Sequence, residues 1–176
     1  MAMKVEIKKH QNLPLEKVSW IENILAKSPI LKLIKVEVEF LAPGFACLRL
    51  PFRREIIQGF GVVQGGVISA LGDATSGIAF LTLIEPTEAV ITIDLKINFL
   101  APVRDFDIIC ESRIIHRGSL ISLADFEIKT PEGLLTAKGS TTLISKAIKE
   151  WGDTKNADQK EEALFKNSKK FFANFS

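Results

Sequence analysis

One segment limits the fold more than any other. After Gly65-Gly66 the chain reads VISALGDATSGIAFLTLIE, apolar on nearly every side of a helix, with small polar residues and two carboxylates, Asp73 and the terminal Glu85. A helix of that kind has no face to offer water, so it belongs in the centre of a fold. The glycines predict its start, and Pro86 ends a helix running to about Ile84. Its cover must come from the rest of a 176-residue chain, which is long enough for one domain with a real core.

The flanking sequence supplies strands. Leu31–Phe40 alternates in part, with Lys35, Glu37 and Glu39 set against Val36, Val38 and Phe40. Ala42-Pro43-Gly44 is a turn signal, and Phe45–Pro51 returns as the second arm of a hairpin. Residues 53–64, with Gly59 and Gly61, read as an irregular loop. Beyond the helix lie four extended runs, Ala89–Leu100, Phe106–Arg117, Leu120–Lys129 and Leu134–Ser145. Ala101-Pro102, Arg117-Gly118-Ser119 and Pro131-Glu132-Gly133 separate them, and such short turns predict an antiparallel meander. One sheet burying one helix is a two-layer α+β solution, here over residues 31–145.

Two flanks complete the chain. Residues 1–30 form a polar extension with one amphipathic helix from Pro14 to Lys27, stopped by Ser28-Pro29, whose Val18, Ile21 and Leu25 share a face. Residues 146–176 are a lysine-rich tail, helical or partly disordered, in which Leu164, Phe165, Phe171, Phe172 and Phe175 make an apolar stripe. That stripe suits docking on the chain's own body, a partner protein or a membrane surface.

Composition excludes several functions. Hydrophobic residues make up 47% of the chain, too many for a disordered protein. With 23 Lys+Arg against 21 Asp+Glu, no electrostatic footprint for nucleic acid exists. Cys47 and Cys110 fall in strands and read as buried apolar side chains; His10 and His116 are too few for a histidine metal centre. No metal and no redox cofactor is expected. The first residues, MAMKVEIKKHQNLP, lack the apolar centre of a signal peptide, and no apolar run approaches about 20 residues, so the expected location is the cytoplasm.

The order of elements resembles the hotdog fold, a long antiparallel sheet curled round one buried helix. Gly61-Val62-Val63-Gln64-Gly65-Gly66, followed by Leu71-Gly72-Asp73, resembles the signature of the phenylacetate-type (PaaI-like) acyl-CoA thioesterases. That signature is a glycine, two residues, His-Gly-Gly, and a carboxylate seven residues after the second glycine. Ala42-Pro43-Gly44-Phe45-Ala46 and Asn98-Phe99-Leu100-Ala101-Pro102 resemble its flanking pattern, so the likeness covers roughly residues 30–145. The family's usual histidine is Gln64 here, and an asparagine six residues earlier falls on Gln58; both replacements are amides able to hydrogen bond. The resemblance implies hydrolysis of acyl-CoA thioesters by a homodimer, with a tetramer left open as a further assembly.

The residue types fit that chemistry. Helix N-termini present unpaired amides and partial positive charge, and glycines let a carbonyl approach them, so Gly65 and Gly66 form a candidate oxyanion site. Asp73 suits a general base that activates water, or a nucleophile. Eight residues separate Gly65 from Asp73, about 12 Å along a helix, so one thioester carbon cannot touch both. Two copies with antiparallel central helices bring the Asp73 of one to the glycines of the other. Thr92 and Asp94 share a face of the next strand, and family members often place a Ser or Thr near there to assist the carboxylate, which makes Thr92 a secondary candidate. Arg113, His116, Arg117 and Lys138 lie on or near a strand–turn junction and are candidates to hold the phosphates of coenzyme A. Pocket size is expected to depend on side chains such as Phe60, Phe80, Leu81 and Phe99. The rival reading is a non-catalytic acyl-CoA-binding sensor or regulator on the same scaffold. A hotdog dehydratase would need a histidine near the central helix, and neither His10 nor His116 is close to it in sequence.

Overall fold

A computed structural model of the chain describes residues 10–148; the tail stripe expected at 164–175 lies outside them. The chain divides into two units, Met1–Ser145 and Lys146–Ser176, and the fold below is that of the first, with its last strand running on to Ala147. In order, the elements are α1 (Leu15–Lys27), α2 (Pro29–Ile34), β1 (Glu37–Ala42), β2 (Phe45–Leu50), α3 (Gly65–Leu81), β3 (Glu88–Phe99), β4 (Ile108–Arg117), β5 (Ser122–Lys129) and β6 (Leu135–Ala147). A single 3-10 turn, Arg54–Ile56, interrupts the loop before α3.

The strands form one six-stranded sheet in the order β1-β2-β4-β5-β6-β3. Pairs β1·β2, β2·β4, β4·β5 and β5·β6 run antiparallel. α3 packs across β2, β3, β4 and β5, so the sheet wraps it and the arrangement is the α+β hotdog fold. Leu71, Ile78 and Ala79 of α3 meet Leu48, Cys110, Ala124, Phe126 and Ile128 of the sheet, all almost fully buried. Each large apolar side chain so buried contributes about 1.5–3 kcal/mol.

Two glycines permit close packing, Gly72 of helix on sheet and Gly139 between β6 and its sheet neighbours. A Cβ on Gly72 would stand 2.6 Å from Phe126 Cε2, and one on Gly139 of β6 would stand 2.3 Å from the Lys96 carbonyl oxygen. Polar groups in the contact are satisfied. Ser76 Oγ donates to the Gly72 carbonyl at 2.9 Å and lies 3.0 Å from Ser112 Oγ, while Thr141 Oγ1 donates to it at 3.2 Å.

Three expectations need correction. Leu31–Phe40 is not one strand: Ser28 caps α2 by accepting from the Leu31 amide, Pro29 occupies its first turn, and Lys35 ends it in the left-handed conformation. Ser28-Pro29 therefore stops α1 and starts a second helix. The central helix ends at Leu81, three residues early, where Thr82 donates to the Ala79 carbonyl at 2.6 Å and accepts the Gly44 amide at 2.7 Å. The four late strands are also not a simple meander. β3 lies beside β6, because the 100–107 connection crosses over; the amides of Leu100 and Ala101 both donate to the Thr136 carbonyl. β3 is consequently an edge strand, with Thr92, Ile93, Asp94, Lys96, Asn98 and Phe99 exposed.

α1 behaves as its periodicity predicts, burying Val18, Ile21 and Leu25. No described helix is long and apolar enough to cross a membrane.

Candidate active site

A tight loop sets the start of α3. Gln58 Oε1 accepts the Phe60 amide at 2.6 Å, its carbonyl accepts the Gly61 amide at 2.9 Å, and its own amide donates to Val62 at 2.8 Å. Gly61 supplies the positive φ of 77° that this turn requires. Two latches then hold the chain on either side: Val63 donates to the Val103 carbonyl and Gln64 to the Ile56 carbonyl, both at 2.8 Å.

Gln64 is the N-cap, extended at φ −62° and ψ 128°, with no side-chain capping bond. Its carbonyl accepts the amides of Val67 and Ile68. Among the described residues, the amides of Gly65 and Gly66 have no acceptor. The two glycines differ in surroundings. A Cβ on Gly65 would meet Phe99 Cζ at 3.2 Å, whereas one on Gly66 would find no atom within 4 Å.

A cavity of about 340 Å³ opens at this helix end. Gln58, Gln64 and Gly65 line it together with apolar side chains of the 62–63 loop, Ile68 and the Phe99–Val103 segment. Of the four side chains expected to set pocket size, Phe99 lines it; Phe60 is 91% exposed, and Phe80 and Leu81 lie in the core.

Asp73 lies two turns further along α3, outside that lining. Thr92 Oγ1 donates to Asp73 Oδ1 at 2.7 Å, so the edge strand orients the carboxylate. The pair sits about 12 Å along the helix from Gly65. Asp94, next to it on β3 in the same face register, is exposed.

The four basic candidates fall elsewhere. Arg113 pairs in register with Phe45 and Asp125, and Lys138 with Glu127, on the face of the sheet turned away from α3. Arg113 lies over the Phe45 ring at 5.0 Å, and Lys138 Nζ bonds Glu127 at 2.9 Å. They share a cavity of about 310 Å³ with Glu111, Asp125 and Glu127, three carboxylates to two cations. Lys129 and Lys138 together hold the Glu127 carboxyl down to about 2. His116 and Arg117 lie at the end of β4, both exposed, with the His116 ring over Gly118.

The thiols are not activated. Burial pushes Cys110 up to about 12, and burial with the Glu111 and Glu39 charges pushes Cys47 up to about 11. Among the described residues no three His, Cys, Asp or Glu side chains converge as a metal site.

A sheet-wrapped helix whose glycine N-terminus borders a cavity, with a strand-oriented carboxylate further along, is a hotdog-fold scaffold with a candidate site at its central helix. Residues 60–137 match the thioesterase superfamily. An inferred esterase of Saccharolobus solfataricus is 35% identical over 119 residues, covering 67% of this chain and 84% of its own. A 1,4-dihydroxy-2-naphthoyl-CoA hydrolase of Listeria monocytogenes is 26% identical over 117 residues, covering 66% of this chain and 95% of its own. The PaaI protein of the Escherichia coli phenylacetic acid degradation operon superposes with a TM-score of 0.71 at 16% identity, over 77% of this chain and 97% of its own, a likeness of fold. The chain belongs to the thioesterase superfamily and is a hydrolase of that class.

Proposed function

We propose that the protein hydrolyses acyl-CoA thioesters as a homodimer, each site joining Gly65 and Gly66 of one copy to Asp73 of the other. The observation that carries this reading is the division of the chemistry within one chain. The open amides and the cavity lie at one end of α3; the carboxylate with its Thr92 partner lies about 12 Å away, outside the cavity. Two copies placed side by side along their exposed β3 edges, central helices antiparallel, close that gap twice over.

The chemistry then follows. The thioester oxygen accepts the glycine amides, which stabilise the negative charge that develops on it. The partner's Asp73 takes a proton from water, and the water oxygen bonds the acyl carbon. The carbon–sulfur bond breaks, and coenzyme A leaves as a thiolate that recovers the proton. Thr92, donating to one carboxylate oxygen, leaves the other free for this exchange. Gln58 and Gln64 present amides to the same cavity and orient the acyl group. Direct attack by Asp73 would give the same products through an anhydride. The cavity around Arg113 and Lys138 carries more acid than base and lies on the other face of the sheet, so those residues have no part in this reading. The unpaired thiols Cys47 and Cys110 suit a reducing compartment such as the cytoplasm.

The test is release of free thiol from an acyl-CoA. The full chain is expected to release it, and Asp73→Asn to slow release by about 10²–10⁴-fold. Tight binding without turnover would instead make the protein an acyl-CoA sensor. Light scattering is expected to give a dimer; a stable, active monomer overturns the composite site.

A further inference from the structure

The cavity at the start of α3 has one wall that the shared chemistry does not require. The Phe99 ring points its tip at Gly65, and a Cβ there would stand 3.2 Å from Cζ and 3.6 Å or less from both Cε atoms. Gly66, next along, faces open space. The two glycines thus do different work: Gly65 makes room for the ring, and Gly66 stays open to the carbonyl. Phe99 is the last residue of β3 and is half-exposed within one copy, at the strand edge that the proposed dimer brings to its partner. The rest of the lining is apolar apart from the Gln58 and Gln64 amides, and among the described residues no ionisable side chain borders it. The carboxylate brought by the partner would add a negative charge.

Resting on the thioesterase reading above, we propose that Phe99 is the specificity-determining residue. The acyl group of the bound thioester lies along its ring, the ring sets the largest acyl group accepted, and the site takes neutral apolar acyl groups in preference to anionic ones. Gly65 lines the cavity, so an acyl group whose carbonyl sits at this helix start lies among Val62, Val63 and Ile68 with Phe99 beside it. An acyl chain that outgrows this space must displace the ring. A carboxylate-bearing acyl group meets no cation among the described lining residues and is repelled by the partner's Asp73.

The experiment compares the full-length wild type with Phe99→Ala and Phe99→Leu. Acetyl-, hexanoyl-, dodecanoyl-, benzoyl- and malonyl-CoA serve as substrates, and each variant's thermal melt is recorded. Wild type is expected to prefer one size of neutral acyl group and to turn over malonyl-CoA poorly. Phe99→Ala is expected to shift the preference to larger acyl groups, changing the ratio of kcat/KM between neighbouring sizes by about tenfold or more, with Phe99→Leu between the two. A ratio unchanged in both variants, while wild type is active, overturns the inference and leaves the thioesterase reading intact. Equal loss across all substrates makes Phe99 a prop for Gly65 and likewise overturns it, as does preferred turnover of malonyl-CoA. No turnover of any thioester by wild type overturns both.

Discussion

Two places along α3 use glycine for opposite ends. At the N-terminus, Gly66 has nothing within 4 Å of where its side chain would be, and its amide has no acceptor among the described residues. In the middle, Gly72 is buried, and a side chain there would strike the Phe126 ring at 2.6 Å. Gly72 is a packing residue that lets a helix settle on a sheet. Gly66 forgoes packing altogether and keeps a donor uncovered. An open glycine at a helix start leaves its amide reachable, and a glycine pressed on a ring serves the packing of the fold.

Substitution should separate the two. Gly66→Ala puts a methyl into the open space, so thiol release is expected to fall by about 10²-fold while the melting temperature holds or rises, since Ala favours a helix over Gly by about 1 kcal/mol. Equal activity in the variant would break the contrast. Gly72→Ala should do the reverse. Overpacking costs about 1–3 kcal/mol and outweighs the helix gain, so melting falls by several degrees while activity per folded molecule is kept.

Smaller effects sharpen the comparison. Thr92→Val removes the bond to Asp73 without touching the cavity, and kcat is expected to fall about tenfold with little change in KM. Glu127→Gln tests a site far from α3. The folded carboxyl lies at about 2, below its ordinary 4.5, because Lys129 and Lys138 bond it. Its contribution is therefore complete above about pH 4.5 and fades as pH falls from there towards 2. The group is well exposed to solvent, so the loss at neutral pH is expected below about 1 kcal/mol. Melting curves at pH 7 and pH 3 should converge for wild type and variant at the lower pH.

Local signals were legible in the sequence where one element sufficed. The 3.6-residue spacing of Val18, Ile21 and Leu25 placed α1, and the diglycine placed the start of α3. Thr92 is a candidate through the family resemblance alone, and its hydroxyl does bond Asp73. What depended on distant partners was not. The neighbour of β3 is β6, and no nearby residue announces a crossover in place of a hairpin. α2 is hard to see in the sequence because Val36, Val38 and Phe40 alternate just beyond it, and a strand pattern runs visually into Leu31–Ile34. Arg113 and Lys138 are two of the four basic residues, with His116 and Arg117, that the sequence offers for the phosphates of coenzyme A. Cross-strand register puts Asp125 and Glu127 beside them, a relation that only pairing reveals.

The 100–107 crossover has a consequence of its own. Its first residues rest on β6 through Thr136, and Val103 grips the loop ahead of α3 through Val63, so a connection between strands also serves as masonry for the cleft. Val103 is itself buried in the core, so the same stretch that walls the cavity also helps pack the domain. Chamber wall and interior packing therefore share one short stretch of backbone, and a change in either is felt by the other.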